Sequence, residues 1–506
     1  MHAETEKQMK EKQEDSYSHV LKYTGIFGGV QGLNIFIGLV RNKILAYLLG
    51  PSGMGLAALF NSTVTFISQA TNLGISFSAV KNVSELFDAG DEVRIQHFVK
   101  VVRAWSILTA LIGMFVCMVA GPLLSNFTFS WGDHTRHFIM LAPAVGLMAF
   151  TGGEVAILKG SRQLKSLAVI QVLSVLVALV ISVPLYYFFG QAGIVPVIVL
   201  MALSSMLITI RYSFRLYPMR LRGAKGILGE GMEMVRLGIA FVLAGIFGSG
   251  AEMLIRSYLN VTGDLDVVGL YNVGFMLTVT YAGMVFSAME TDYFPRLSAI
   301  ACDRKAMSET VNRQIEVSML LVSPMLATLI IFLPLLIPLL FRSDFLPVVP
   351  MAQVAVFSMY LKAISLPISY TVLAKADSLA FLVIEGFDSV LMVVLMVVGF
   401  RLWGLTGTGI ALDVSYLVDL FIIYSYAYVR YGYRISVPVV QIILIQLPLG
   451  IAIYGITHID SPWLYWVLGL LLCFVSLAIS IHILHQKTSL WTALVKKAKS
   501  KLSHYV

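Results

Sequence analysis

Three basic residues, Arg41, Arg256 and Lys362, lie inside stretches of sequence that are otherwise apolar. A cation in hydrocarbon costs about 3 kcal/mol, so it is kept where it faces protein, water or a ligand. A guanidinium stays charged at any physiological pH, and its planar fork meets an oxyanion at two points. Arg41 and Arg256 therefore read as the parts of a phosphate or pyrophosphate site, with Lys362 as a third cation. Arg256 also has a local reading: Glu252, one helical turn earlier, can neutralise it as an i,i+4 pair. Lys43 faces away from Arg41 and reads as snorkelling to the outer interface.

The neighbours of Arg41 suggest a wet surface. Gln31, Asn34, Gly38 and Arg41 are spaced three, four and three, which puts them on one helix face. Past a turn at Gly50-Pro51-Ser52-Gly53, the next apolar run carries Asn61, Thr65, Ser68, Asn72 and Ser76, again as one stripe. Asn272, in the eighth apolar run, joins this group as a candidate lining residue. Such residues line cavities, and they also bind membrane helices to one another; both readings stand. Glu154, after Gly152-Gly153, is a candidate to carry a coupling ion, to pair with a cavity cation or to make a structural contact. Glu385 and Asp388, on one helix face, and Asp413 and Asp419, in the following run, divide the same way between ion binding and interhelical contacts.

The elements that must position these groups are membrane helices. The chain has 506 residues, 58% hydrophobic and 13% charged, with a mean hydropathy of +0.84. That composition belongs to polytopic membrane proteins. About fourteen apolar segments, from 21–49 to 462–485, are long enough to cross a bilayer. Connections are too short for a soluble domain. No cleavable signal peptide is expected, since residues 1–20 are polar and mixed in charge. Outer loops keep only Arg136, Arg342 and Arg401, while the loops on the side of the N-terminus hold nearly all the remaining Lys and Arg, Arg103 among them. The positive-inside rule then places both termini in the cytoplasm. It also assigns the net charge of +8 to membrane lipid headgroups rather than nucleic acid.

Several classes of chemistry are absent from the sequence. Cys117, Cys302 and Cys473 have no metal-ligand spacing and read as inert thiols. The histidines show no zinc context, with His134 and His137 expected in a solvated outer loop. No Gly-x-x-x-x-Gly-Lys-[Ser/Thr] phosphate loop exists. No cofactor and no metal are expected.

The chain also repeats itself. Arg41 and Arg256, Gly55-Leu56 and Gly269-Leu270, Leu158-Lys159 and Ala374-Lys375, and Gly190-x-x-Gly193 and Gly404-x-x-Gly407 recur at offsets of 214 to 216 residues. Each half holds an even number of spans, so the repeats run parallel, as in transporters built from two bundles around a central cavity. The expected organisation is a cytoplasmic segment 1–20, a six-helix bundle 21–212, a linker 213–235, a second six-helix bundle 236–429, two further helices within 430–485 and a basic tail 486–506. The fold class is thus an all-α polytopic membrane protein of two related bundles plus two C-terminal helices.

Three runs resemble a known family. They are Leu48-Leu49-Gly50-Pro51-Ser52-Gly53-Met54-Gly55-Leu56, Asp292-Tyr293-Phe294-Pro295-Arg296-Leu297-Ser298 and Val372-Leu373-Ala374-Lys375-Ala376. They resemble bacterial O-antigen and lipid III flippases, polysaccharide-type members of the multidrug/oligosaccharidyl-lipid/polysaccharide exporter superfamily. The resemblance implies a non-enzymatic flippase of the bacterial inner membrane. Its cargo would be an undecaprenyl-pyrophosphate-linked glycan, and its partners the membrane lipids and the glycan polymerase machinery. It gives the cationic cavity a reason, since the pyrophosphate would sit there. Peptidoglycan-precursor flippases share the helix number and the fold. Two rivals remain: a cation-coupled multidrug antiporter, which would want a carboxylate in the first span, and a membrane glycan polymerase or ligase.

Overall fold

The computed structural model describes residues 2–129, 131–219 and 227–487, with side chains placed from residue 32 onward except at 77, 227, 228, 230, 233–241, 287–292, 295 and 487. The side chains of Gln31, Asp292 and Pro295, residues 220–226 of the 213–235 linker and nearly all of the basic tail therefore lie outside what is described. Among the described residues every regular element is helical and no strand occurs. The cause is the solvent: hydrocarbon offers no hydrogen bonds, so each backbone must satisfy its own.

Ten described stretches are long and apolar enough to cross a membrane. Three of them, of 40, 53 and 54 residues, would be about 60 to 80 Å long as straight helices, twice or more the roughly 30 Å hydrocarbon core. Each is broken at its middle and makes two spans. The breaks are Gly50 in α1 (His2–Thr71), the Gly190–Gly193 3-10 turn between α6 (Leu164–Phe189) and α7 (Ile194–Leu216), and Trp403-Gly404 in α13 (Ser378–Tyr431). With the 36-residue α8 (Ile227–Thr262), the described residues make about fourteen spans.

By contacts the chain forms two compact units. The first comprises Met1–Asn272 with Leu340–Phe345 and Glu385–Val393; the second comprises Val273–Leu339, Leu346–Ile384 and Val394–Val506. In the first unit, α3 (Glu92–Val119), α5 (Thr135–Gly160) and α7 pack together, and α8 packs on α1. The second unit is built around α12 (Val349–Ala374), which packs against α10 (Ala282–Ala299) and α14 (Val437–Ile456), the latter lying on α15 (Pro462–Lys487).

The duplication is visible in backbone geometry. Gly190 and Gly404 hold nearly the same conformation, φ 55, ψ −132 and φ 56, ψ −140, a region that a side chain strongly disfavours. At Gly404 the reversal is so tight that a Cβ on Gly407 would lie 1.9 Å from the Gly399 carbonyl oxygen. The ends of α5 and α12 match as well. Gln163 N donates to Leu158 O at 2.9 Å and Asp377 N to Val372 O at 3.1 Å. The residues between, Arg162 (φ 53) and Ala376 (φ 56), are left-handed. Both ends are Schellman closures, built with a side chain where glycine is usual.

Two placements differ from the sequence expectation. Arg103 is not a loop cation: it lies about 17 Å along α3 from Glu92 and is 2% exposed. His134 is not solvated. It is 7% exposed, stacked on Phe129 with ring centres 4.0 Å apart, and its Nδ1 is 3.2 Å from that of His137. Burial and the neighbouring His137 hold its pKa below the ordinary histidine range. The aromatic residues of this segment collect on Phe60 of α1, and Thr128 O accepts from Asn260 of α8 at 2.8 Å, so the histidine loop is a packed corner.

Because a left-handed side-chain residue costs about 1 kcal/mol or more relative to glycine, Ala376→Gly is expected to raise the unfolding midpoint in detergent. Gly404→Ala is expected to lower it by at least as much. A thermal melt followed by circular dichroism checks both.

Candidate functional site

The first unit encloses a cavity of about 460 Å³ that holds Arg41 and Arg256. The Gly50 break creates it by folding α1 back on itself, so that Arg41 before the turn and Asn61 and Thr65 after it line one space. The opposite wall follows from a second glycine contact. A Cβ on Gly55 would stand 2.1 Å from Leu265 O, and one on Gly269 2.0 Å from Pro51 O. Only glycines allow α1 and α9 (Leu265–Phe275) to cross this closely. These two residues are also equivalents in the repeat, and their contact brings Asn272 to the cavity.

Arg256 is 7% exposed. Its Nη1 donates to Glu252 Oε2 at 2.8 Å and its Nη2 to Asn272 Oδ1 at 3.5 Å. The i,i+4 pair foreseen from the sequence thus forms, yet the Glu252 side chain stays 53% exposed. Among the described lining residues two guanidiniums stand with one carboxylate, a formal balance on the positive side. Asn61 Nδ2 donates to Ala57 O at 2.8 Å, which leaves its carbonyl oxygen for other partners. Two permanent cations among amides and hydroxyls can hold a polyanionic group and accept polar neighbours around it.

The other sequence candidates scatter. Asn34 is half-buried in α1, Ser68 is buried, and Asn72 donates to Ser76 Oγ at the turn after α1. The polar stripe therefore leaves the cavity after Thr65. Lys362 belongs to α12 of the second unit, its ammonium 5.9 Å from the centre of the Tyr416 ring, and is not among the described lining residues. Glu385 and Asp388 are half-buried in α13, where Gly386 lies against Phe247 of α8. Glu154 is 1% exposed and held from two sides. Arg103 Nε donates to its Oε1 at 2.7 Å and Arg103 Nη2 to its Oε2 at 3.2 Å. Ser213 Oγ of α7 donates to Oε2 as well. The Arg103 guanidinium also lies 4.4 Å from the centre of the Phe214 ring.

Sequence reasoning missed Ser182 and Tyr186 of α6 and Asn42 of α1, all in the lining. A signal existed for the first two: they are a polar i,i+4 pair in a largely apolar helix. Among the described residues no group of three or more His, Cys, Asp or Glu could hold a metal.

About fourteen membrane helices with an arginine-lined cavity define a multi-pass membrane protein of transporter architecture. The chain belongs to the polysaccharide biosynthesis protein family, whose sequence pattern matches residues 44–350. It is 23% identical over 292 residues to the lipid III flippase of Escherichia coli (strain K12), covering 55% of this chain and 67% of that protein. The Shigella flexneri lipid III flippase matches with the same figures. Among solved structures, an inward-facing multidrug resistance MATE family transporter of the MOP superfamily superimposes with TM-score 0.66 at 16% identity, covering 79% of this chain and 94% of that one. The lipid II flippase MurJ, in an inward closed conformation, superimposes with TM-score 0.66 at 14% identity, covering 92% and 99%. The fold is that of the MOP superfamily.

The Arg103–Glu154 pair is expected to behave as a closed structural unit. Removing one partner strands a buried charge and costs about 3–5 kcal/mol, so Arg103→Met and Glu154→Leu should each lower the melting midpoint strongly. The double variant should recover a large part of that loss, which melts of the purified variants will show.

Proposed function

We propose that this protein carries an undecaprenyl-pyrophosphate-linked oligosaccharide, an O-antigen or related surface glycan unit, from the inner to the outer leaflet of the bacterial cytoplasmic membrane. The observation that carries the reading is the meeting of Arg41 and Arg256, equivalents in the repeat, in one cavity lined with amides and hydroxyls. A pyrophosphate is the part of such a cargo least able to cross hydrocarbon, and paired guanidiniums replace its hydration. Asn61, Thr65 and Asn272 supply sugar contacts, and the polyprenyl tail stays in lipid. Movement is by alternating access, with both termini on the cytoplasmic side and an ion gradient as the driving force. Family membership and the similarity to lipid III flippases support this reading.

A cation antiporter fits less well, because Glu252, the carboxylate in the lining, is already joined to Arg256. A peptidoglycan lipid II flippase would use the same anion site, so the cargo must be read chemically.

Each charge-assisted hydrogen bond contributes about 1.5–3 kcal/mol, so Arg41→Ala or Arg256→Ala should slow translocation roughly 10- to 100-fold. The measurement is the leaflet distribution of lipid-linked glycan in a strain depleted of the protein. Inner-leaflet build-up of the surface-glycan precursor, relieved by wild type and not by the Arg41→Ala, Arg256→Ala double variant, is expected. Wild-type translocation by that double variant at equal expression would refute the anion site. Build-up of peptidoglycan precursor instead would reassign the cargo.

A further inference from the structure

The second unit holds a polar stripe that the anion cavity does not use. On α12, Ser358, Lys362 and Ser365 are spaced four and three; on the second span of α13, Asp413, Tyr416 and Asp419 are spaced three and three. Each set occupies one helix face. The two helices meet closely at Gly409, where a Cβ would stand 2.5 Å from Met351 O and 3.3 Å from Ala355 N. One turn further on, Asp413 meets the backbone of Ser358. Beyond it, Asp419 has Ser365 and the Lys362 cation of α12 as its electrostatic neighbours.

These ionisable groups are not alike. Asp419 has the Lys362 cation among its neighbours. Asp413 Oδ1 is buried and has no hydrogen-bond partner among the described residues. From α12, Asp413 faces Ser358, with Lys362 one turn away; from α14 the nearby titratable group is the Tyr454 hydroxyl; along α13 it has Tyr416 and Asp419. An ionised carboxylate so placed is expensive, and binding a proton removes the charge. Water reaching the carboxyl would reverse the balance. A hard metal cation would want several oxygen ligands, more than Asp413 and its Ser358 neighbour provide.

We propose that Asp413 is the proton-carrying carboxylate of this protein, loaded when its site between α12 and α13 is dry and discharged when water reaches it. Glu154 is differently placed, since Arg103 and Ser213 together bind both of its oxygens.

The coupling role rests on the transporter reading, but the test needs no cargo. Dicyclohexylcarbodiimide attacks carboxyl groups that are protonated in apolar surroundings, leaving a stable acylurea that mass spectrometry locates. Purified wild-type protein in detergent, treated across a pH series, should carry the label on Asp413. Labelling should fall about tenfold per pH unit above the carboxyl's own pKa. Asp413→Asn should lose that label, Glu154→Gln should keep it, and Asp413→Glu, which retains the carboxyl, should restore it if the Asn variant folds poorly. Label on Glu154 in place of Asp413 would overturn the proposal. So would protection of Asp413 by sodium at constant pH, which would make the site one for a metal cation.

Discussion

Charge is costly in a medium that cannot solvate it, and this structure depends on how that cost is met at each buried ion. Arg103 and Glu154 meet it completely: two hydrogen bonds join them and a serine completes the set. Such a pair ties α3, α5 and α7 together and leaves little to offer a ligand. Arg256 meets it partly, through a carboxylate that itself remains half in the open. Arg41 lies in the wall of the same cavity. Ions in comparably apolar helices are thus compensated by different means, a fully buried pair with a serine in one case and a half-exposed carboxylate in the other.

The cavity is equally a product of glycine. Gly50 turns α1 back, and Gly55 and Gly269 let two helices approach to backbone contact. Without the turn, Arg41 and Asn61 would lie about 30 Å apart along one helix. Without the close crossing, Asn272 would stand off from the cavity by the thickness of a side chain. These positions are fixed by where a Cβ has no room or where φ is positive, and they recur through the duplication. The near-identical conformations of Gly190 and Gly404, and of the helix ends at Arg162 and Ala376, show that the repeat preserved its corners while its sequence drifted.

The same architecture serves a multidrug transporter and a lipid flippase among the solved structures. Fold alone thus leaves the cargo open, and the lining chemistry must decide it. A cavity with two arginines, one carboxylate and amide and hydroxyl neighbours suits a phosphorylated glycan far better than an organic cation. Membership in the polysaccharide biosynthesis family points the same way.

The helical, membrane-spanning character of the chain, its doubled architecture and the presence of Arg41 and Arg256 within apolar spans were legible in the sequence alone. Hydrophobic length, glycine punctuation and the cost of intramembrane charge are local properties that each segment carries by itself. The polar stripe on α1 was legible too, but not where it ends, because only packing reveals that Asn72 turns to Ser76. Tertiary structure alone decided which charges meet. Arg103 read as one more loop cation, yet its partner lies 51 residues away on another helix. His134 read as solvated, yet Phe60 and Phe129 enclose it. Asp413 read like Asp419, and their difference arises from what α12 places opposite each. A side chain's charge is written in the sequence, but its counter-ion and its water are set by helices that meet only in the folded chain.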